Sequence, residues 1–138
     1  MSRRLAREAA FIALFQIDIG KCRAQQALRR SLEDYKLGAE EIAFAEDLVN
    51  NTVKNLEKLD ALIKKNLVKW ELDRLSAIDR NLLRLGLYEI LHRPDIPAAV
   101  SINEALELAK KFGSTGEAVG FVNGVLDRAV GETFKSES

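Results

Sequence analysis

Wound at ~100° per residue, an α-helix places Arg4, Arg7, Phe11 and Phe15 within one ~80° stripe. Arg3 stands at the same end. Guanidinium forks bind phosphate oxygens, and an aromatic ring stacks on an unpaired base. Cations followed by rings along one helix flank therefore suit single-stranded nucleic acid. A plainer account also fits: a solvated helix start that becomes a core helix at Phe11. Cations at a helix N-terminus oppose its dipole by roughly a few tenths of a kcal/mol, which favours a functional reason for them.

A second group is Lys110-Lys111-Phe112-Gly113-Ser114-Thr115-Gly116, where two cations and a ring lead into a glycine-bracketed loop before a helix start. Free N–H groups there would face an anion. The lysines precede the glycines, so this is not a phosphate-binding P-loop, and a lysine-ended helix with a glycine cap is the commoner arrangement. Farther on, Phe121-Val122-Asn123-Gly124 keeps helical spacing through a glycine, which close helix packing would explain. Enzymatic groupings are thin. His92, Asp95 and Ser101 lack the spacing of a base, its orienter and a nucleophile. Glu107 and Lys111 read as an i,i+4 ion pair on a helix face.

These side chains need helices to position them. Only two prolines and eight glycines in 138 residues allow long helices, and no alternating run reads as a strand. The first helix runs to Gly20, whose freedom to adopt a left-handed cap marks a stop. The second spans about 22–35. A third opens at Glu40 and Glu41 and continues towards Trp70 with a break near Asp60. Ser76 caps a helix reaching about Leu91, and Pro94 and Pro97 force a turn. Ser101 with Glu104 forms a capping box for the next helix. The last carries Val119, Val122, Val125 and Leu126. The predicted architecture is all-α, six to seven helices in two packed subdomains, 1–70 and 71–131, with a frayed tail over 132–138.

Composition excludes other classes. One cysteine, Cys22, and one histidine, His92, leave no disulfide framework or multi-histidine metal centre, and no cofactor is expected. No apolar run reaches the ~20 residues of a membrane span, Arg7 and Glu8 interrupt a signal-like start, and acidic Glu8 and Asp18 fit poorly with a transit peptide. A soluble cytoplasmic protein is the reading. Formal net charge is zero, yet residues 1–30 carry seven bases against two acids, a net of +5. Residues 31–60 carry three bases against eight acids, a net of −5. That layout suggests a basic surface for an anion and an acidic surface for something else.

The segments together resemble a known family. They are Arg3-Arg4-x-x-Arg7-Glu8-x-Ala10, Phe44-x-x-x-Leu48-Val49, Leu59-Asp60-x-Leu62-Ile63 and Trp70-x-Leu72-x-Arg74-Leu75. Asp79-Arg80-x-x-Leu83-Arg84-x-x-x-Tyr88-Glu89, Ile102-Asn103-Glu104-Ala105-x-Glu107-Leu108-Ala109-Lys110 and Phe121-Val122-Asn123-Gly124-Val125-Leu126-Asp127 follow. Over about residues 3–130 this resembles the NusB family of bacterial transcription antitermination factors. The resemblance implies a non-enzymatic adaptor that binds single-stranded boxA RNA of nascent transcripts, rRNA leaders included. It also implies a heterodimer with NusE, a small-subunit ribosomal protein, with other Nus factors and RNA polymerase reached indirectly. Carried over by position, the RNA-binding residues are Arg3, Arg4, Arg7 and Phe15, with Phe112 and Phe121 across the groove; Lys110 and Lys111 of the second group are expected to join them. Where the family often has tyrosine, Phe15 keeps the stacking face and loses a hydroxyl. For NusE, the expectation is Asp79 and its helix, with Glu46 and Asp47 of the acidic stretch. Two alternatives stay open: the helical module of an rRNA cytosine methyltransferase, against which the end at Ser138 argues, and a purely protein–protein adaptor.

Overall fold

A computed structural model describes residues 3–69, 71–113 and 115–137, with side chains described up to residue 132. Trp70, Ser114 and Ser138 lie outside the described residues. Among those described, seven α-helices and one 3-10 turn account for all regular structure. The helices are α1 (Arg3–Gly20), α2 (Ala24–Glu33), α3 (Ala39–Lys54), α4 (Leu56–Lys65), α5 (Ala77–His92), α6 (Ala98–Phe112) and α7 (Gly116–Glu137); the 3-10 turn is Leu72–Arg74. The chain divides into two compact units, Met1–Asn55 and Leu56–Ser138.

In the first unit, α1, α2 and α3 all pack on one another. The small side chains of Ala6, Ala9, Ala10 and Ala13 give α1 a buried face on which Leu28, Phe44, Leu48 and Val49 are also buried. Gly20 ends α1 without a left-handed conformation. Lys21 takes that role instead, at φ 54°, with its N–H donating to the Ile17 carbonyl at 3.1 Å. At the far end of α2 the Tyr35 hydroxyl donates to Glu8 Oε1 at 3.2 Å, so α2 runs back along α1.

In the second unit α5 is the central helix: every residue from Asn81 to Ile90 is buried. It packs on α4, α6 and α7. A Cβ on Gly86 would lie 3.2 Å from Leu126 and 3.5 Å from Ala105, so this glycine permits the close approach of α6 and α7. Ser76 caps α5 as expected, its Oγ accepting from the Asp79 N–H at 3.1 Å.

Several boundaries differ from the sequence reading. The third predicted helix breaks at Asn55, whose side chain donates to the Asn51 carbonyl at 2.7 Å, rather than near Asp60. Asp60 sits inside α4 and binds Arg84 of the same unit, and the units divide after Asn55, not near residue 70. α6 starts after Pro97, which places Ser101 one turn inside the helix. Its hydroxyl donates to the buried Glu89 carboxylate at 3.1 Å and forms no capping box. α7 continues through Gly131 to Glu137, where the sequence suggested fraying. Glu132 anchors this stretch through a 2.7 Å ion pair with Lys65, which holds its carboxyl below the usual range.

Candidate nucleic-acid interface

The cationic start of α1 has no acid in its first turn. Arg3 and Arg4 are exposed. The Arg3 guanidinium lies 4.5 Å from the centre of the Phe44 ring on α3. Arg7 turns inward: it is 5% exposed, and its guanidinium lies 5.2 Å from the same ring. Cation–π contacts of this kind contribute about 0.5–2 kcal/mol, more as water is excluded. Phe11 is buried, and Phe15 is half-buried with its ring 6.4 Å from that of Phe11, tilted by 39°.

The expected four-residue flank is therefore only partly on the surface. Arg4 and Phe15 reach it, while Arg7 and Phe11 are drawn into the packing of α1 against α2 and α3. At 100° per residue the stripe is correct, but its centre lies beside the buried alanine face. Phe44 is the residue the sequence reading missed as a site element. Its motif was visible, but its place beneath two guanidinium groups depends on a helix pairing that spacing within α3 does not encode.

Beneath this surface Glu8 is 5% exposed and accepts the Tyr35 hydrogen bond. Burial, then the negative charge of Glu8 and the hydrogen bond to it, pushes the Tyr35 hydroxyl up to about 12. The phenol stays protonated at neutral pH and fixes the end of α2 to α1.

The second unit carries the other group. Lys110 is exposed and pairs with Glu107 at 3.2 Å, an i,i+3 pair in place of the expected Glu107–Lys111 one. Lys111 places its Nζ 5.7 Å from the centre of the Phe112 ring. Phe112 and Phe121 are half-buried. Phe121 lines an open cleft of about 270 Å³ with Arg74, Ser76, Asp79, Thr115 and Glu117. Asp79, expected to meet a protein partner, and Phe121, expected to meet RNA, thus share one cleft. Partial burial pushes the Asp79 carboxyl above its ordinary range, and a hydrogen bond with Ser76 opposes part of that rise.

Gly124 is not explained by close packing of another helix. A Cβ there would meet only the Arg128 guanidinium, at 3.3 Å. That guanidinium donates to the Asn66 carbonyl at 3.0 and 3.3 Å. Glu46 and Asp47 lie on α3 in the first unit; Glu46 is exposed, and Asp47 accepts from Asn51 at 2.7 Å. The imagined catalytic set is not assembled. Asp95 is bound by Arg93 at 2.9 and 3.0 Å, Ser101 by Glu89, and His92 stacks on Tyr88. Among the described residues no group of three metal-ligating side chains occurs, and no helix is long and apolar enough to cross a membrane.

The fold and these surfaces define an all-α protein of two helical units, with cations set beside rings. The NusB family matches residues 4–130. The transcription antitermination protein NusB of Desulforamulus reducens is 47% identical over 128 residues, 93% of this chain and 89% of that protein. The structure of T. maritima NusB superposes with a TM-score of 0.88 at 42% identity, over 96% of this chain and 92% of that one. A crystal structure of antitermination factors NusB and NusE in complex with dsRNA gives 0.84 at 29% identity, over 92% and 94%. The chain belongs to the NusB family. That makes it a transcription antitermination factor and not an enzyme.

Proposed function

We propose that the chain acts as an adaptor that holds single-stranded boxA-type RNA of nascent transcripts and docks a NusE-type ribosomal protein. In the first unit Arg3 and Arg4 supply phosphate contacts and Phe15 a stacking face. Arg7, held over Phe44, sets the position of that surface from beneath. In the second unit Lys110 and Lys111 add charge, and Phe112 and Phe121 add rings. Asp79 meets the basic partner, with Glu46 and Asp47 adding negative potential. Other Nus factors and RNA polymerase are then reached through the partner and the transcript, within the cytoplasm.

The observation that carries this reading is the exposed Arg3–Arg4 pair at the N-terminal end of α1, on the same helix as the half-buried Phe15 ring. The relative seen with NusE and dsRNA supports the choice of partners. The preference for unpaired RNA rests on the rings, because a base already stacked in a duplex offers no face.

The test is a titration of boxA-like, scrambled and duplex RNA, with and without the ribosomal protein. Affinity for the boxA-like strand should fall as salt rises, with a slope set by the phosphates neutralised. Phe15→Ala should cost about 1–3 kcal/mol of stacking. Equal binding of all three RNAs with the partner present would reduce the site to nonspecific charge.

A further inference from the structure

The proposed RNA surface leaves a second cationic face unused. Lys21, Arg23, Arg29 and Arg30 are all exposed. None of the four side chains forms a hydrogen bond or ion pair among the described residues. Lys21 and Arg23 sit in the connector before α2. Arg29 and Arg30 follow on its solvent side, Arg30 about 10 Å along the axis from Arg23. Glu33 is the one acid on that exposed arc of α2, at its far end.

Local structure does not ask for these cations. Lys21 holds a left-handed φ of 54°, which glycine would adopt more easily. Arg23 occupies the N-cap without a side-chain cap bond, and the first turn of α2 contains no acid, so both cations oppose the helix dipole. The apolar side of α2, Ala27 and Leu28, is buried, which leaves the exposed side without the apolar stripe of a membrane-surface helix. Unpaired, polar and arginine-rich, the face suits a flexible chain of phosphates.

We infer that this α2 face tracks the backbone of RNA flanking the bound element, without regard to sequence. The inference rests on the RNA-binding reading above and extends it to a second surface of the first unit.

The experiment uses the full chain with its partner and two RNAs, the element alone at about 12 nucleotides and the element with unstructured flanks at about 30. Arg23→Gln, Arg29→Gln and Arg30→Gln are combined. On the longer RNA the triple variant should lose about tenfold or more in affinity, and the log–log salt slope should shrink by about 2. On the short RNA it should bind as the parent does. A triple Arg→Lys variant should keep the slope, and matching melting curves should show that folding is intact. Equal slopes and affinities of parent and glutamine variant on the longer RNA would overturn the inference. So would an equal loss on the short RNA. The reading of the α1 surface fails separately, if Arg4→Gln with Phe15→Ala leaves binding of the short RNA unchanged.

Discussion

Arg84 is held by both oxygens of Asp60, at 2.8 and 2.9 Å, with its side chain only 10% exposed. Its Nη1 also donates to Asn81 Oδ1 at 3.3 Å. Removing one partner of such a pair leaves a charge with little water to replace it. Asp60→Ala should therefore cost about 3 kcal/mol, read as a lower urea midpoint at constant slope. Lys21 is the opposite case. Glycine relieves the left-handed backbone there, so Lys21→Gly should raise stability by about 0.5–1 kcal/mol in the same assay. Neither role is legible from sequence. Asp60 reads as a helix breaker because its partner is 24 positions away, and Gly20 attracts the cap because glycine is the usual occupant. Arg4 and Phe15 were legible as surface groups. Arg7 was not legible as buried, because an arginine is counted as exposed until a ring such as Phe44 is known to cover it.

Glycines separate what a helix tolerates from what its neighbours demand. Gly86 faces Leu126 and Ala105 at contact distance, so Gly86→Val would push α6 and α7 off α5. The expected loss is about 1–3 kcal/mol, the usual result of overfilling a packed core. Gly120 lies on the exposed side of α7 with nothing within 4 Å of a Cβ. Gly120→Ala should gain up to about 1 kcal/mol from helix propensity alone. Thermal melts of the two variants should move in opposite directions. Element number and type followed directly from 3.6-residue periodicity, because an amphipathic stripe is what packs helices in water. Ends followed less well. Ser101 has the residue type and spacing of a capping box, yet its hydroxyl serves the buried Glu89 of another helix. A serine satisfies either need, and only tertiary packing decides between them.

At the scale of the whole molecule, charge is sorted along the chain instead of mixed, with +5 on residues 1–30 and −5 on 31–60. Such sorting suits a chain that meets an anionic and a basic partner at once. Asp79 lets this be tested by pH. Its carboxyl titrates above the usual range because burial disfavours the charge. In the free chain, ionising it costs folding energy, so its contribution to stability improves as pH falls through the raised value. A basic partner would reverse the sign, because its cations favour the carboxylate and release the proton on binding. Affinity for the ribosomal protein should then weaken as pH falls through the same value, while the free chain grows more stable at this group. Asp79→Asn should flatten both profiles. Parallel titrations of partner affinity and urea stability across the mildly acidic range read the two signs independently. An affinity profile for Asp79→Asn that keeps the parent's pH dependence would remove Asp79 from the partner surface.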